Sequence, residues 1–124
     1  MNVVDSSAWL EYFAGGPNAE YFAKAIEDIP NLLVPSITIY EVFKRVLLER
    51  GEELALQVVA QMKTGHLVEL EEDLAIDAAR LSVAHKIPMA DSIILATARS
   101  NDAWVWTQDD DFEGLAKVNY RAKK

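Results

Sequence analysis

Met1-Asn2-Val3-Val4-Asp5-Ser6-Ser7-Ala8, running on through Trp9 and Phe13 to Gly15-Gly16-Pro17, opens the chain. The apolar start predicts a short buried strand from Met1 to Asp5. Ser6-Ser7 offers a helix cap, Ala8 to Ala14 is helical, and Gly15-Gly16-Pro17 stops the helix. A strand that passes through an acid into a helix is one unit of an alternating strand–helix fold. The rest of the sequence repeats it. Leu32-Leu33-Val34 is a second short strand, and Pro35-Ser36 leads into a helix ending near Arg50-Gly51. His66 to Leu70 is a third strand, Ala103 to Thr107 a fourth, and Val118-Asn119-Tyr120 a fifth at an edge. Further helices are expected from Asn18 as cap to about Asp28, from Glu52 to Lys63, from Glu71 to Lys86 and from Ile87-Pro88 to about Arg99. Strands this short and apolar imply a mostly parallel sheet of four to five strands, covered by helices on both faces. The reading is a three-layer α/β/α fold in one domain, residues 1–124. In such sheets a site lies beyond the carboxyl ends of the strands.

Composition narrows the chemistry. Of 124 residues, 51% are hydrophobic, enough for a core. There is no cysteine, which excludes disulfides, thiolate metal sites and a cysteine nucleophile, and fits a reducing cytoplasm. The two histidines, His66 and His85, lack partners at metal-ligand spacing. No secretion signal is apparent, and no apolar run approaches the roughly 20 residues that span a bilayer. The net charge of −8 opposes nucleic-acid binding unless some of the acid is gathered around a cation.

Four acids stand where apolar segments end or turn inward. Asp5 follows the first strand and reads either as a helix cap or as a site residue. Ser7, two residues on, carries the same two readings. Asp91 has Ile94, Leu95 and Ala98 at i+3, i+4 and i+7, so a carboxylate occupies the inward stripe of its helix. With Pro88 as first helical residue, the helix dipole favours its charge. Asp109, Asp110 and Asp111 follow the fourth strand. Asp109 and Asp111 could share one direction while Asp110 faces water, and composition does not choose. Glu41 falls opposite the expected stripe of Ile39, Tyr40, Val42, Phe43, Val46 and Leu47, where pairing with Lys44 and Arg45 would explain it. Ile37 and Leu48 share its face, which suggests that this side is also partly covered. Carboxylates gathered at one sheet edge repel by about 4 kcal/mol per pair at 4 Å and an effective dielectric of 20. Such a group holds a hard divalent cation or holds protons.

These segments resemble a known family. The strand ending in Asp5-Ser6-Ser7, Pro35-Ser36 leading to Glu41, Ala90-Asp91-Ser92-Ile93-Ile94-Leu95-Ala96-Thr97-Ala98, and Thr107-Gln108-Asp109-Asp110-Asp111-Phe112 are together similar to PIN-domain ribonucleases. The small VapC toxins of prokaryotic toxin–antitoxin pairs are the nearest type. The resemblance implies a PIN-like fold and an acidic quartet of Asp5, Glu41, Asp91 and Asp109. Asp111 would be an auxiliary acid, with Ser7 and Thr107 as supporting hydroxyls. It also implies RNA hydrolysis dependent on Mg2+ or Mn2+, with Asp5, Asp91 and Asp109 as metal residues. A homodimer silenced by a VapB-type antitoxin is expected, in the cytoplasm and away from membranes. Apolar residues near Trp9, Tyr12 and Phe13 are candidate contacts. Two rivals are a catalytically silent PIN-like module that binds RNA or a partner, and a phospho-acceptor receiver domain. The latter would need a lysine at a late strand end, where Thr107-Gln108 offers none.

Overall fold

The computed structural model describes residues 1–124. Five strands, β1 (Asn2–Val4), β2 (Leu32–Pro35), β3 (His66–Val68), β4 (Trp104–Thr107) and β5 (Val118–Tyr120), form one sheet in the order β3-β2-β1-β4-β5. Every pairing is parallel. Six helices connect and cover them: α1 (Ser6–Ala14), α2 (Ala19–Ile26), α3 (Ser36–Arg50), α4 (Glu52–Met62), α5 (Glu72–His85) and α6 (Met89–Ser100). This is the expected α/β architecture, and the parallel sheet is complete. The order differs from the 2-1-3-4-5 order of receiver domains, which removes that rival.

The central strand explains the layering. Successive residues of a strand point to opposite faces. Val4 therefore joins one core with Trp9, Phe22, Val42 and Met62, while Val3 joins the other with Ile94, Leu95 and Val105. The first core is closed by α1 to α4. The second is closed by α6, with α5 packed outside it through Ala78 and Leu81. Residues Asp91 to Ala98 of α6 are buried in an unbroken run, as expected of a helix enclosed on all sides.

Several boundaries and faces differ from the sequence expectations. Asp5, not Ser6 or Ser7, caps α1: its side chain accepts the Ser7 backbone N–H, and the helix starts at Ser6. Pro88 caps α6 in an extended conformation instead of opening it, which leaves Asp91 at the third helical position, still in the first turn. Asn18 makes no side-chain cap. Its Nδ2 donates instead to Gln108 Oε1 at 3.1 Å and to the Ala122 carbonyl at 2.9 Å, tying α2 to the end of β4 and the chain terminus. On α3 the buried line is Thr38, Val42 and Val46, with Ile39 and Phe43 half-covered, while Tyr40 and Leu47 turn outward.

The apolar cluster considered for contacts is largely internal. Trp9 is buried and stacks on Phe13, whose ring meets Tyr12 edge-on. Exposed apolar surface lies elsewhere: on α3 and α4, through Tyr40, Leu47, Leu48 and Leu56, and on and around α5, where Ile76, Val83, Leu70 and Met89 face outward beside a cleft of about 450 Å3.

Candidate metal centre

The sheet order places its crevice. From β1 the chain moves outward through β2 to β3, then returns to the other side of β1 with β4. The carboxyl ends of β1 and β4 thus flank the point where the winding reverses, the usual ligand crevice of such sheets. Val4 pairs with Trp106, and the Asp5 N–H donates to the Trp106 carbonyl at 2.9 Å. Asp5 and Thr107 are therefore neighbours one step beyond the paired strands.

Their side chains lock together. The Thr107 hydroxyl donates to Asp5 Oδ2 at 2.9 Å, and the Ser7 hydroxyl donates to the same oxygen at 2.6 Å. The Ser7 N–H reaches it at 3.4 Å. All the side-chain hydrogen bonds of Asp5 fall on Oδ2, which leaves Oδ1 without a protein partner. Thr107 Oγ1 also accepts the Asp109 N–H at 2.9 Å, and Asp109 Oδ1 accepts the Asp111 N–H at 2.9 Å. One chain of contacts thus runs from the end of β1 through the end of β4 into the acidic turn.

Asp91 enters from the first turn of α6. One of its carboxylate oxygens, with one from each of Asp109 and Asp111, forms a trio within 4.8 Å of one another. Asp110 is exposed in the short 3-10 turn between its two neighbours. Glu41 arrives from α3 and accepts the Ser6 hydroxyl at 2.6 Å. Neither Lys44 nor Arg45 pairs with it; Arg45 meets Glu49 instead, at 3.2 Å. Asp5, Glu41, Asp91 and Asp109 all line one cleft of about 390 Å3. The tightest trio substitutes Asp111 for the expected Asp5, which stands beside it.

Electrostatics mark the group as short of positive charge. Asp5 is only 2% exposed, and burial pushes its carboxyl upward against the opposing pull of Ser7 and Thr107, with Asp109 and Glu41 adding repulsion. Burial, then the charges of Asp5, Asp109 and Asp111, push Asp91 up to about 8. No cation in the chain pairs with any of these acids. Crowded, unpaired oxygen donors, buried at Asp5 and Asp91 and more open at Glu41, Asp109 and Asp111, fit a hard divalent cation.

A PIN domain model matches residues 3–118. The chain belongs to the PIN domain family. Solved structures share the PIN fold over nearly the whole chain. A toxin–antitoxin complex from Klebsiella pneumoniae aligns with TM-score 0.83 and 22% identity, covering 100% of both chains. VapC20 of Mycobacterium tuberculosis, a sarcin–ricin-loop-cleaving toxin, aligns with TM-score 0.78 and 17% identity, covering 95% of this chain and 97% of its own. The DNA-bound VapBC of Salmonella typhimurium aligns with TM-score 0.72 and 17% identity, covering 98% and 96%. No curated protein matches this PIN domain in sequence.

Two parts of the PIN-domain site escape sequence reasoning. Ser6 reads as a cap, yet it is the residue that holds Glu41. Gln108 reads as a spacer, yet it is buried, and its N–H approaches Ser7 Oγ at 3.4 Å. The adjacency of each to a named acid or hydroxyl was the only local signal.

Proposed function

We propose that this PIN domain is a metal-dependent endoribonuclease and the toxin of a toxin–antitoxin pair. The observation that carries this reading is the convergence of Asp5, Glu41, Asp91 and Asp109 in one cleft at the sheet's switch point, with no protein cation in an ion pair with any of them. Asp5, through its free Oδ1, and Asp91 are assigned as direct ligands of Mg2+ or Mn2+, with Asp109 joining them. A bound divalent ion lowers the pKa of an attacking water and stabilises charge on the phosphoryl oxygens. Ser7 and Thr107 hold Asp5 in one rotamer, so its free oxygen keeps one direction. Ser6 does the same for Glu41, which with Asp109 orients water in the cleft. Asp111 adds charge at the rim. No side chain forms a covalent bond to substrate, consistent with a chain that lacks cysteine. Family analogy gives 5′-phosphate and 3′-hydroxyl ends.

The toxin reading extends to partners. Structural neighbours include VapBC from Salmonella typhimurium and FitAB, both bound to DNA, and a VapB-type antitoxin is the partner assigned here. The homodimer is assigned to the α5 face, where Leu70, Ile76, Val83 and Met89 are exposed. No helix is long and apolar enough to cross a membrane; a cytoplasmic site of action is assigned with the toxin reading. Incubating the purified protein with single-stranded RNA and Mg2+ tests the proposal; endonucleolytic products dependent on the ion are expected, and intact RNA at every divalent ion tried would overturn it.

A further inference from the structure

We propose that an exposed stripe of α3 seats the nucleotide next to the bond to be cut, with its base on the Tyr40 ring and its phosphate on Lys44 and Arg45. This rests on the ribonuclease reading and names how the substrate is gripped. Tyr40 is 61% exposed, although the helical pattern of the sequence assigns it to the core. It precedes Glu41 directly, and it lines the acidic cleft. Lys44 stands one turn further along, its ammonium 5.7 Å from the Tyr40 ring centroid. Lys44 and Arg45 are the only cations lining that cleft. The sole partner of Arg45 is Glu49, in a pair whose members are both 59% exposed, and such pairs hold weakly. The guanidinium is therefore available to a phosphate.

The arrangement along α3 has a direction. Glu41 belongs to the carboxylate group, and the two cations follow after one turn, roughly 5 Å along the axis. A strand with its reacting phosphate at the acids would carry a neighbouring phosphate past the cations. Its unstacked base would meet a flat ring already outside the core. Single-stranded RNA is held by this combination of aromatic stacking and backbone cations. The −8 chain offers little other positive charge at the cleft to attract it. A bare surface role for Tyr40, pairing with Lys44 at i+4, would not require the ring to border the acids.

The test measures Mg2+-dependent cleavage of a labelled single-stranded RNA by wild type, Tyr40→Ala and Tyr40→Trp. Each is assayed on the parent RNA and on versions with one abasic nucleotide near the cut. Tyr40→Ala is expected to raise KM about 5- to 100-fold with kcat nearly unchanged, and Tyr40→Trp to restore it. One abasic position should penalise wild type and Tyr40→Trp but add nothing to the loss in Tyr40→Ala. Lys44→Ala should flatten the log–log salt dependence of binding by about 0.7. Unchanged KM in Tyr40→Ala, with wild type active, overturns the proposal and leaves the nuclease reading intact. Unchanged kinetics with weakened self-association in sedimentation assigns the stripe to a second copy and also overturns it. A wild type that cuts no RNA removes both readings.

Discussion

Asp5 shows how one residue serves two demands. Its backbone and one carboxylate oxygen begin α1 and accept two hydroxyls, while the other oxygen has no partner in the chain. Cap and site were competing readings of the sequence, and the geometry accommodates both. Asp91 is the residue under most electrostatic tension, pushed to about 8 from an ordinary 3.8. A carboxyl raised on folding contributes its stability below its unfolded pKa and loses it as pH rises through the folded value. The metal-free protein should therefore lose melting temperature between about pH 4 and 8, and Mg2+ should restore it; a flat profile in thermal melts would contradict the crowding. Asp91→Asn should raise the metal-free melting temperature above pH 8 by roughly 3 °C or more and abolish the stabilisation by Mg2+. Asp91 was legible because a charge on an apolar stripe is conspicuous. Glu41 was legible only through the family resemblance and not from spacing, because a helical wheel shows nothing of Ser6, which comes from another helix.

At the scale of elements, the end of β4 organises the site. Thr107 is fully buried and connects Asp5 of one strand end to Asp109 of the next. Thr107→Val keeps the volume but removes a donor from Asp5 and an acceptor from the Asp109 N–H. It should cost about 1–3 kcal/mol in denaturant unfolding and lower cleavage at least tenfold through misplaced acids. Wild-type values for both would show that the hydroxyl is incidental. The five strands were readable from short apolar runs between Gly, Pro and Ser punctuation, and their parallel pairing from the helices between them. The faces of α3 and α5 were less readable. Both helices carry apolar residues on more than one side, so periodicity alone points to no single buried line. On α3, Thr38 occupies a core position that hydropathy assigns to Tyr40. Thr38 satisfies its hydroxyl on the Pro35 carbonyl at 2.7 Å, which makes its burial tolerable.

At the scale of the whole molecule, five acids gather at the carboxyl ends of β1 and β4, and apolar side chains are exposed on α5. Val83 is 81% exposed on α5, and its environment makes sense as one half of a symmetric contact. Val83→Glu should shift the protein from dimer to monomer in sedimentation while leaving the metal-free fold intact; a variant that still dimerises would move the contact elsewhere. A net charge of −8 reads at first as a bar to RNA, but under the proposed reading a cation held by the switch-point acids would reverse the local sign where the substrate must approach. Everything turns on that ion. The most direct measurement is the rate at which purified protein cuts an end-labelled single-stranded RNA in Mg2+, compared with the same protein under chelator and with Asp91→Asn. The account predicts cleavage that stops on chelation, returns when Mg2+ is restored, and falls at least about a hundredfold in Asp91→Asn. Cutting that continues undiminished without divalent ions, or at the wild-type rate in Asp91→Asn, would contradict it.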